Sequence, residues 1–162
     1  MVYFSRQTMF VFDECENMVI RNVQTDFDRP TMAEMTIEAV AGTYIDVNVH
    51  PSSRYKITDG KLYWFGDGWQ FHHGPMQEYD AVTNTTWRIE NQCAAALRVE
   101  ELAPSQLRLF YEDMPATAVG RVWQVRDGLR DQVGAFVTRC RNVTWHNVGI
   151  HYMHGLGIIN QF

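Results

Sequence analysis

Two aspartates near the N-terminal end, Asp26 and Asp28, are the acidic side chains whose spacing best suits chemistry. Residues two apart on a strand face the same side, so their carboxyl groups would lie roughly 7 Å apart. Glycosidases that invert configuration hold their two carboxyl groups about 6.5–9.5 Å apart. The spacing therefore permits glycoside hydrolysis, although many strands satisfy it. It equally suits a contact with bound sugar, or a solvated pair beside Arg29.

Two histidines near the C-terminal end, His151 and His154, form a second candidate group. They precede a predicted chain corner at Gly155. Zinc sites use three or four ligands, and no Cys, Asp or Glu accompanies the pair in this segment. We therefore expect these imidazoles to hydrogen-bond a sugar hydroxyl or to face solvent, and we expect no bound metal.

A predicted hairpin rich in aromatic residues, with Tyr63, Trp64 and Trp69, is the third candidate. Exposed aromatic rings provide platforms on which sugar rings stack, while buried ones fill a core. Both interpretations stay open for this hairpin. The adjacent His72 and His73 would point to opposite sides of a strand, so they do not form the His-x-His pair of a metal-binding cupin. No nucleotide-binding or nucleophile motif is present, and we expect no cofactor.

Two similar segments, 125 positions apart, indicate how the outer parts of the chain are built. CENMVIRNV at residues 15–23 resembles CRNVTWHNV at residues 140–148. Apolar residues alternate at the fourth and sixth positions of both copies, which predicts strands with one buried face. Asn17 and Asn142 occupy equivalent places, where amides can stack in a ladder. We therefore predict rungs of a right-handed parallel β-helix, with buried Asn side chains and with Val19 among the core residues.

The middle of the chain has a different pattern, with short strands separated by turn signals. Residues 45–49 alternate apolar and polar side chains, and Gly42 and Gly68 mark two hairpin turns. We predict an all-β protein in which a small antiparallel barrel or sandwich, residues 31–134, is inserted between rungs at residues 1–30 and 135–162. We expect residues 51–60 to form a loop, residues 94–101 a strand, and Trp87, Trp123 and Trp145 core positions.

Composition limits the classes of function. The chain of 162 residues has a formal net charge of −5, which disfavours nucleic-acid binding. Its longest apolar stretches are too short to span a bilayer. The three cysteines, an odd number, disfavour a disulfide framework.

No targeting signal is visible, and the repeats stop without a cap, so we expect a fragment of a longer protein. Exposed solenoid edges would also permit a homodimer.

Several segments together resemble one known family. The rung is followed by DFDRP at residues 26–30, then by an all-β insert containing residues 35–47 and 59–69, and the second rung ends in HGLGI at residues 154–158. This order is similar to that of the blood-group-B α-1,3-galactosidases, glycoside hydrolase family 110. The resemblance spans residues 10–162, although other β-helix proteins share the style of the rung.

The resemblance implies a bacterial glycosidase that removes terminal α-1,3-linked galactose with inversion, using two carboxylates and no metal. It implies that those acids lie on coils beyond this chain, so no catalytic residue is assigned here and the chain alone is expected to be inactive. It also implies galactose-terminated glycans as substrates and a periplasmic or secreted parent protein. The alternatives are a non-catalytic carbohydrate-binding or structural β-module, and another sugar-active β-helix enzyme such as a lyase.

Overall fold

The computed structural model describes residues 1–129, 132–152 and 155–161. The first eight strands are β1 (Val2–Phe4), β2 (Phe10–Asp13), β3 (Glu16–Phe27), β4 (Met32–Ala41), β5 (Tyr44–Val49), β6 (Arg54–Thr58), β7 (Lys61–Gly66) and β8 (Trp69–Phe71). The remaining elements are β9 (Met76–Asp80), β10 (Thr85–Ile89), the one-turn helix α1 (Gln92–Ala95), β11 (Arg98–Ala103), β12 (Gln106–Phe110), β13 (Val122–Arg126), β14 (Val133–Thr138), β15 (Arg141–Ile150) and β16 (Leu156–Gln161). The all-β prediction is confirmed.

The chain divides into two compact units. Met1–Pro30 and Leu129–Phe162 form the first, here called the parallel unit, and Thr31–Gly128 form the second, the antiparallel unit. No helix in the described ranges is long and apolar enough to cross a membrane.

The parallel unit contains two three-stranded sheets, with strand orders β1-β3-β15 and β16-β14-β2. Every pairing in them is parallel, and β15 lies beside β3 so that residues 125 positions apart are neighbours, as Trp145 is to Ile20. The Trp145 ring lies 5.9 Å from the rings of both Phe10 and Phe12. Inward-facing side chains of the two sheets therefore meet, which explains the apolar alternation of the repeat.

Left-handed backbone positions recur at matched places in β3 and β15. Asn22 and Asn147 have φ of 57° and 53°, and Asn17 and Asn142 have φ of 56° and 52°. Asparagine tolerates this region better than most residues because its short side chain can bond locally. One such residue inside a strand shifts the alternation by one, so in β3 the inward positions change from Met18 and Ile20 to Val23 and Thr25.

The predicted asparagine ladder is present, but on the surface. Nδ2 of Asn142 donates to Oδ1 of Asn17 at 2.8 Å, and Nδ2 of Asn147 donates to Oδ1 of Asn22 at 3.0 Å. All four side chains are exposed, so the expectation that Asn142 is buried is wrong. The left-handed backbone turns these side chains outward. Val19, which was placed in the core, is 62% exposed because Met18 and Ile20 occupy the inward phase.

The antiparallel unit consists of a seven-stranded sheet, β10-β9-β13-β4-β5-β12-β11, and a three-stranded sheet, β6-β7-β8. The strands alternate buried and exposed residues, as Ile45, Val47 and Val49 do in β5. Both sheets contribute to one apolar core, in which Trp64 and Trp123 are fully enclosed. Burying large side chains from both sheets stabilises the unit, since each contributes about 1.5–3 kcal/mol.

Three local predictions for this unit need correction. The predicted loop at residues 51–60 contains β6, which pairs with β7 through a tight turn at Asp59 and Gly60. Both turn residues have positive φ, 51° and 72°, as a two-residue hairpin turn requires. The predicted strand at residues 94–101 begins only at Arg98, because Asn91 caps the short helix α1. Trp87 is 36% exposed because its strand, β10, lies at the sheet edge.

A buried carboxylate, Glu78 on β9, lies inside the antiparallel unit and is 1% exposed. Its Oε2 accepts hydrogen bonds from Nε1 of Trp123 at 2.8 Å and from the hydroxyl of Thr117. Its Oε1 accepts from Nη1 of Arg121 at 2.8 Å. Buried charges are tolerated when they are paired and hydrogen-bonded. Glu78 thereby ties the segment around Thr117 to the sheet.

Gly74 is expected to be the glycine least tolerant of substitution. A Cβ at this position would collide with the backbone carbonyl oxygen of Arg126, well inside contact distance. Backbone cannot move aside as a side chain can, so we expect Gly74→Ala to lower the free energy of unfolding by about 2 kcal/mol. Gly128→Ala is the control, since its Cβ would meet only Pro75, at 3.9 Å. Equal urea midpoints for the two variants would contradict the close approach.

Candidate functional site

The end of β3 presents three polar side chains on the outer side of the parallel unit. Gln24, Asp26 and Asp28 alternate with Thr25 and Phe27, which are buried. Oδ1 of Asp26 accepts a hydrogen bond from the backbone N–H of Phe27 at 2.7 Å, which fixes the carboxylate orientation. The backbone N–H of Asp28 donates to the carbonyl of Phe4 at 2.8 Å, so β1 holds this end of the strand in place.

Neighbouring strands add further polar groups to the same end. Tyr3 is the register partner of Asp26. His151 directly follows β15, its N–H donates to the carbonyl of Thr25 at 2.9 Å, and its Nε2 lies 2.9 Å from Oε1 of Gln24. Since Asp26 and His151 are 125 positions apart, the repeat itself brings them to adjacent strands. Gln24, Asp26, Asp28, Tyr3 and His151 are here called the outer polar cluster.

Gly149 leaves the space that this cluster needs. A Cβ at Gly149 would collide with the side-chain oxygen of Gln24 and would lie 2.8 Å from Nε2 of His151. A side chain there would force Gln24 to move, and its contact with His151 would be lost. Glycine at this position therefore permits the Gln24–His151 pair.

The cluster can exchange hydrogen bonds with a polyhydroxylated ligand. Carboxylates accept from hydroxyl groups, a tyrosine hydroxyl both donates and accepts, and an imidazole does either according to its tautomer. Its five residues range from partly to well exposed. No group of three or more potential metal ligands occurs in the described part of the chain. The predicted residue His154 lies outside the described residues.

Sequence reasoning missed two members of the cluster, Tyr3 and Gln24. The 125-residue offset was a usable signal for Gln24, because it pairs Gln24 with Gly149 just as it pairs Asp26 with His151. Tyr3 had no such signal. It lies beside Asp26 only because the short strand β1 adds to the sheet.

Of the two interpretations left open for the aromatic hairpin, core packing describes Trp64 and Trp69. Trp64 is fully buried and Trp69 is 8% exposed, with its ring stacked on Phe71 at 5.6 Å. Both are core residues of the antiparallel unit and offer no open ring face. Tyr63 is half-buried, and its ring lies 5.0 Å from that of His72. Trp64, Trp69 and Phe71 lie in the core shared with the seven-stranded sheet, so these aromatic residues of the hairpin reflect core packing.

The buried Cys93 is not an activated nucleophile. Burial raises the pKa of the Cys93 thiol to about 12, so this residue stays protonated at neutral pH. Cys15 and Cys140 are free thiols at equivalent positions, and Sγ of Cys140 accepts a hydrogen bond from the backbone N–H of Cys15 at 3.3 Å.

Comparison with known proteins places the chain in a family. Residues 33–122 match the family model described as GLAA-B beta-barrel domain I. The chain is 37% identical over 155 residues to alpha-1,3-galactosidase A of Bacteroides thetaiotaomicron, covering 96% of this chain and 27% of that protein. It is 32% identical over 163 residues to the protein of the same name from Bacteroides fragilis (strain NCTC 9343), covering all of this chain and 27% of that protein.

A third relative, alpha-1,3-galactosidase A of Akkermansia muciniphila, is 31% identical over 152 residues, covering 93% of this chain and 25% of that protein. The chain thus spans about a quarter of the length of the curated relatives it matches. The match covers the parallel unit as well as the antiparallel one. The chain belongs to the α-1,3-galactosidase family and contains its GLAA-B beta-barrel domain I.

Proposed function

We propose that this chain acts within a glycoside hydrolase that releases terminal α-1,3-linked galactose from glycans. The observation that supports this activity is the 37% identity, over 96% of the chain, to a protein named alpha-1,3-galactosidase A. The aligned region covers 96% of the chain and so includes both halves of the parallel unit. An inverting reaction by a carboxylate pair carried on further coils is part of the same proposal.

The parallel unit is proposed to be two consecutive coils of a right-handed parallel β-helix. Three observations support this: the parallel pairing of β3 with β15, the paired asparagine side chains, and the left-handed residues repeated at the same offset. Stacked coils are rigid because each inner strand, here β3 and β14, is held by hydrogen bonds on both sides. Rigid coils hold catalytic groups in position, which hydrolysis by two carboxylates requires.

The outer polar cluster is proposed to bind substrate rather than to carry out the chemical step. Adjacent strands are about 4.8 Å apart, so Tyr3, Asp26 and His151 extend over roughly 10 Å, the length of about two sugar rings. Asp26 is partly exposed and Asp28 is exposed, so hydroxyl groups of a bound sugar can reach both carboxylates from the outer side of the unit. Asp26, Gln24 and His151 would instead accept or donate hydrogen bonds to sugar hydroxyls.

We also propose that the longer protein is bacterial, periplasmic or secreted, and able to form a homodimer. A glycan-degrading role requires access to substrates outside the cytoplasm. The exposed Val11 on the sheet-edge strand β2 supports self-association. Fractionation of the source cells and sedimentation of the native protein test these two statements. Activity confined to the cytoplasm, or a monomer at micromolar concentration, would contradict them.

A chimera tests the proposed activity. The segment of the Bacteroides thetaiotaomicron relative that aligns with this chain is replaced by the chain itself. We expect the chimera to hydrolyse an α-1,3-linked galactobiose with kcat/KM within about tenfold of the parent enzyme, and the isolated 162-residue chain to show no turnover. A folded but inactive chimera, or an active isolated chain, would contradict the proposal.

Two substitutions in the same chimera test the binding role of the outer polar cluster. Asp26→Asn and His151→Ala are each expected to raise KM about tenfold, equivalent to about 1.4 kcal/mol, and to change kcat little. Each removes a contact that binds the substrate and the transition state equally well. Asp59→Asn is the matched control, since it lies in the β6–β7 turn at a φ of 51° that asparagine adopts readily. Unchanged KM in both cluster variants would exclude the role, and a thousandfold loss of kcat would assign chemistry to the cluster instead.

A further inference from the structure

A row of polar side chains crosses four strands on the outer face of the antiparallel unit. Arg88 on β10 is the register partner of Gln77 on β9, Gln77 is the partner of Gln124 on β13, and Gln124 is the partner of Glu34 on β4. These four residues, here called the amide row, are therefore immediate neighbours. They line or adjoin a shallow cavity of about 110 Å³, bordered also by Met32 and Pro75.

Hydrogen bonds fix the orientation of the amide row. Nε2 of Gln124 donates to Oε1 of Glu34, so Oε1 of Gln124 faces the other way and accepts from Nε2 of Gln77 at 2.5 Å. The Glu34 carboxylate can only accept, which sets the direction of the whole chain of bonds. Oε1 of Gln77 is thereby left as an acceptor with no partner in the described part of the chain.

Arg88 ends the row with a positive charge. Its side chain is exposed and forms no ion pair or hydrogen bond with any described residue. A guanidinium group binds a carboxylate through two parallel N–H···O bonds. The row therefore offers, side by side, a donor fork for an oxyanion and an amide oxygen for a hydroxyl group. The CH groups of Met32 and Pro75 form an apolar edge beside them.

The size of the cavity limits its ligand. Pockets for drug-sized molecules have volumes of about 300–1,000 Å³, so a cavity of about 110 Å³ holds part of one small ring. A ligand that satisfies both Arg88 and Gln77 needs a carboxylate and a hydroxyl group on neighbouring atoms or on one ring. We propose that the amide row is a binding site for an acidic sugar unit of the uronic-acid type. This site lies wholly on the antiparallel unit and does not depend on the hydrolytic activity proposed above.

Three small ligands separate the contribution of the carboxylate from that of the hydroxyl groups. The ¹⁵N-labelled chain is titrated, at constant ionic strength, with D-galacturonic acid, with D-galactose and with acetate, and NMR shifts of the side-chain amides of Gln77 and Gln124 are followed. Galacturonic acid carries both groups, galactose lacks the carboxylate, and acetate lacks the hydroxyls. We expect a Kd of about 1 mM for galacturonic acid, typical of a ligand this small, and at least tenfold weaker binding of the other two.

Two variants locate the site. Arg88→Gln is expected to weaken galacturonic acid binding at least tenfold while leaving the fold intact, because the Arg88 side chain is exposed and makes no bond to the described part of the chain. Arg54→Gln, the same change at an exposed position on β6, is the control and should change the Kd less than twofold. Equal affinity for acetate, equal affinity for galactose, or an unchanged Kd in Arg88→Gln would each overturn the proposal.

Discussion

Replacing Glu78 with alanine is expected to lower the free energy of unfolding of the antiparallel unit by about 3–5 kcal/mol. The carboxylate is 1% exposed and accepts bonds from Trp123, Thr117 and Arg121. Alanine would leave these donors without their acceptor and would open a cavity among them. Removing the acceptor leaves the buried Nε1 of Trp123 desolvated and without a partner, which costs more than the hydrogen bond itself contributes. Urea titration monitored by tryptophan fluorescence measures the change.

Glu100→Ala is the matched control for this prediction. Glu100 also pairs with an arginine, Arg98, but both side chains are about half exposed. Exposed ion pairs contribute roughly 0–1 kcal/mol, so we expect the control to shift the urea midpoint only slightly. If Glu78→Ala were as mild as Glu100→Ala, the hydrogen-bond network around Glu78 would not stabilise the unit. Glu78→Gln should fall between the two, since it keeps the shape and loses the charge.

The elements predictable from the sequence are those in which local pattern and burial agree. In β5, Ile45, Val47 and Val49 face one buried core, so a simple alternation predicts the strand and its inner face. The stacking of Asn17 with Asn142 was predictable because a repeat at a fixed offset needs no knowledge of the rest of the fold. Both predictions use only the residues of the strands concerned and need no information about distant parts of the fold.

Alternation predicts the exposure of Asn17, which lies next to the inward Met18, but not that of Asn22. The left-handed Asn22 shifts the phase of the strand, so Val23 faces inward although Ile20 also does. Counting by twos from Met18 therefore gives the wrong face beyond Ile20. The β6–β7 hairpin was missed for a different reason. Its Asp59-Gly60 signal was present in the sequence, but β6 has little apolar character to mark it as a strand.

The candidate site was predictable only in part, because its members come from three strands. Asp26 and His151 were chosen for their chemistry, and the repeat offset explains why they meet. The contribution of Tyr3 depends on the pairing of β1, which no local pattern indicates. Conversely, Trp64 and Trp69 carry the side chains that most favour sugar binding, yet they are buried in the core that their sheet shares with the seven-stranded sheet. Which aromatic residues are exposed depends on how distant strands close over the hairpin.

Two fully buried tryptophans, Trp123 and Trp64, are expected to respond differently to the same substitution. Both are 0% exposed, so phenylalanine removes similar volume and apolar area from each. Nε1 of Trp123 donates to the Glu78 carboxylate, whereas Nε1 of Trp64 has no hydrogen-bond partner in the described part of the chain. Losing a hydrogen bond to a buried charge costs about 1.5–3 kcal/mol, and losing an unpaired N–H costs nothing. Trp123→Phe should therefore destabilise by about 3 kcal/mol, roughly 2 kcal/mol more than Trp64→Phe.

A double-mutant cycle separates packing from hydrogen bonding in this comparison. If the extra cost of Trp123→Phe arises from its bond to Glu78, combining it with Glu78→Gln should cost less than the sum of the two single changes, by about 1–2 kcal/mol. Trp64 forms no hydrogen bond with Glu78. The free-energy costs of Trp64→Phe and Glu78→Gln should therefore add to within about 0.5 kcal/mol when the two are combined. Equal losses of unfolding free energy in the two tryptophan variants, or additivity in both cycles, would contradict this prediction. Packing alone would then stabilise this core, and the hydrogen bond to Glu78 would not explain the tryptophan at position 123.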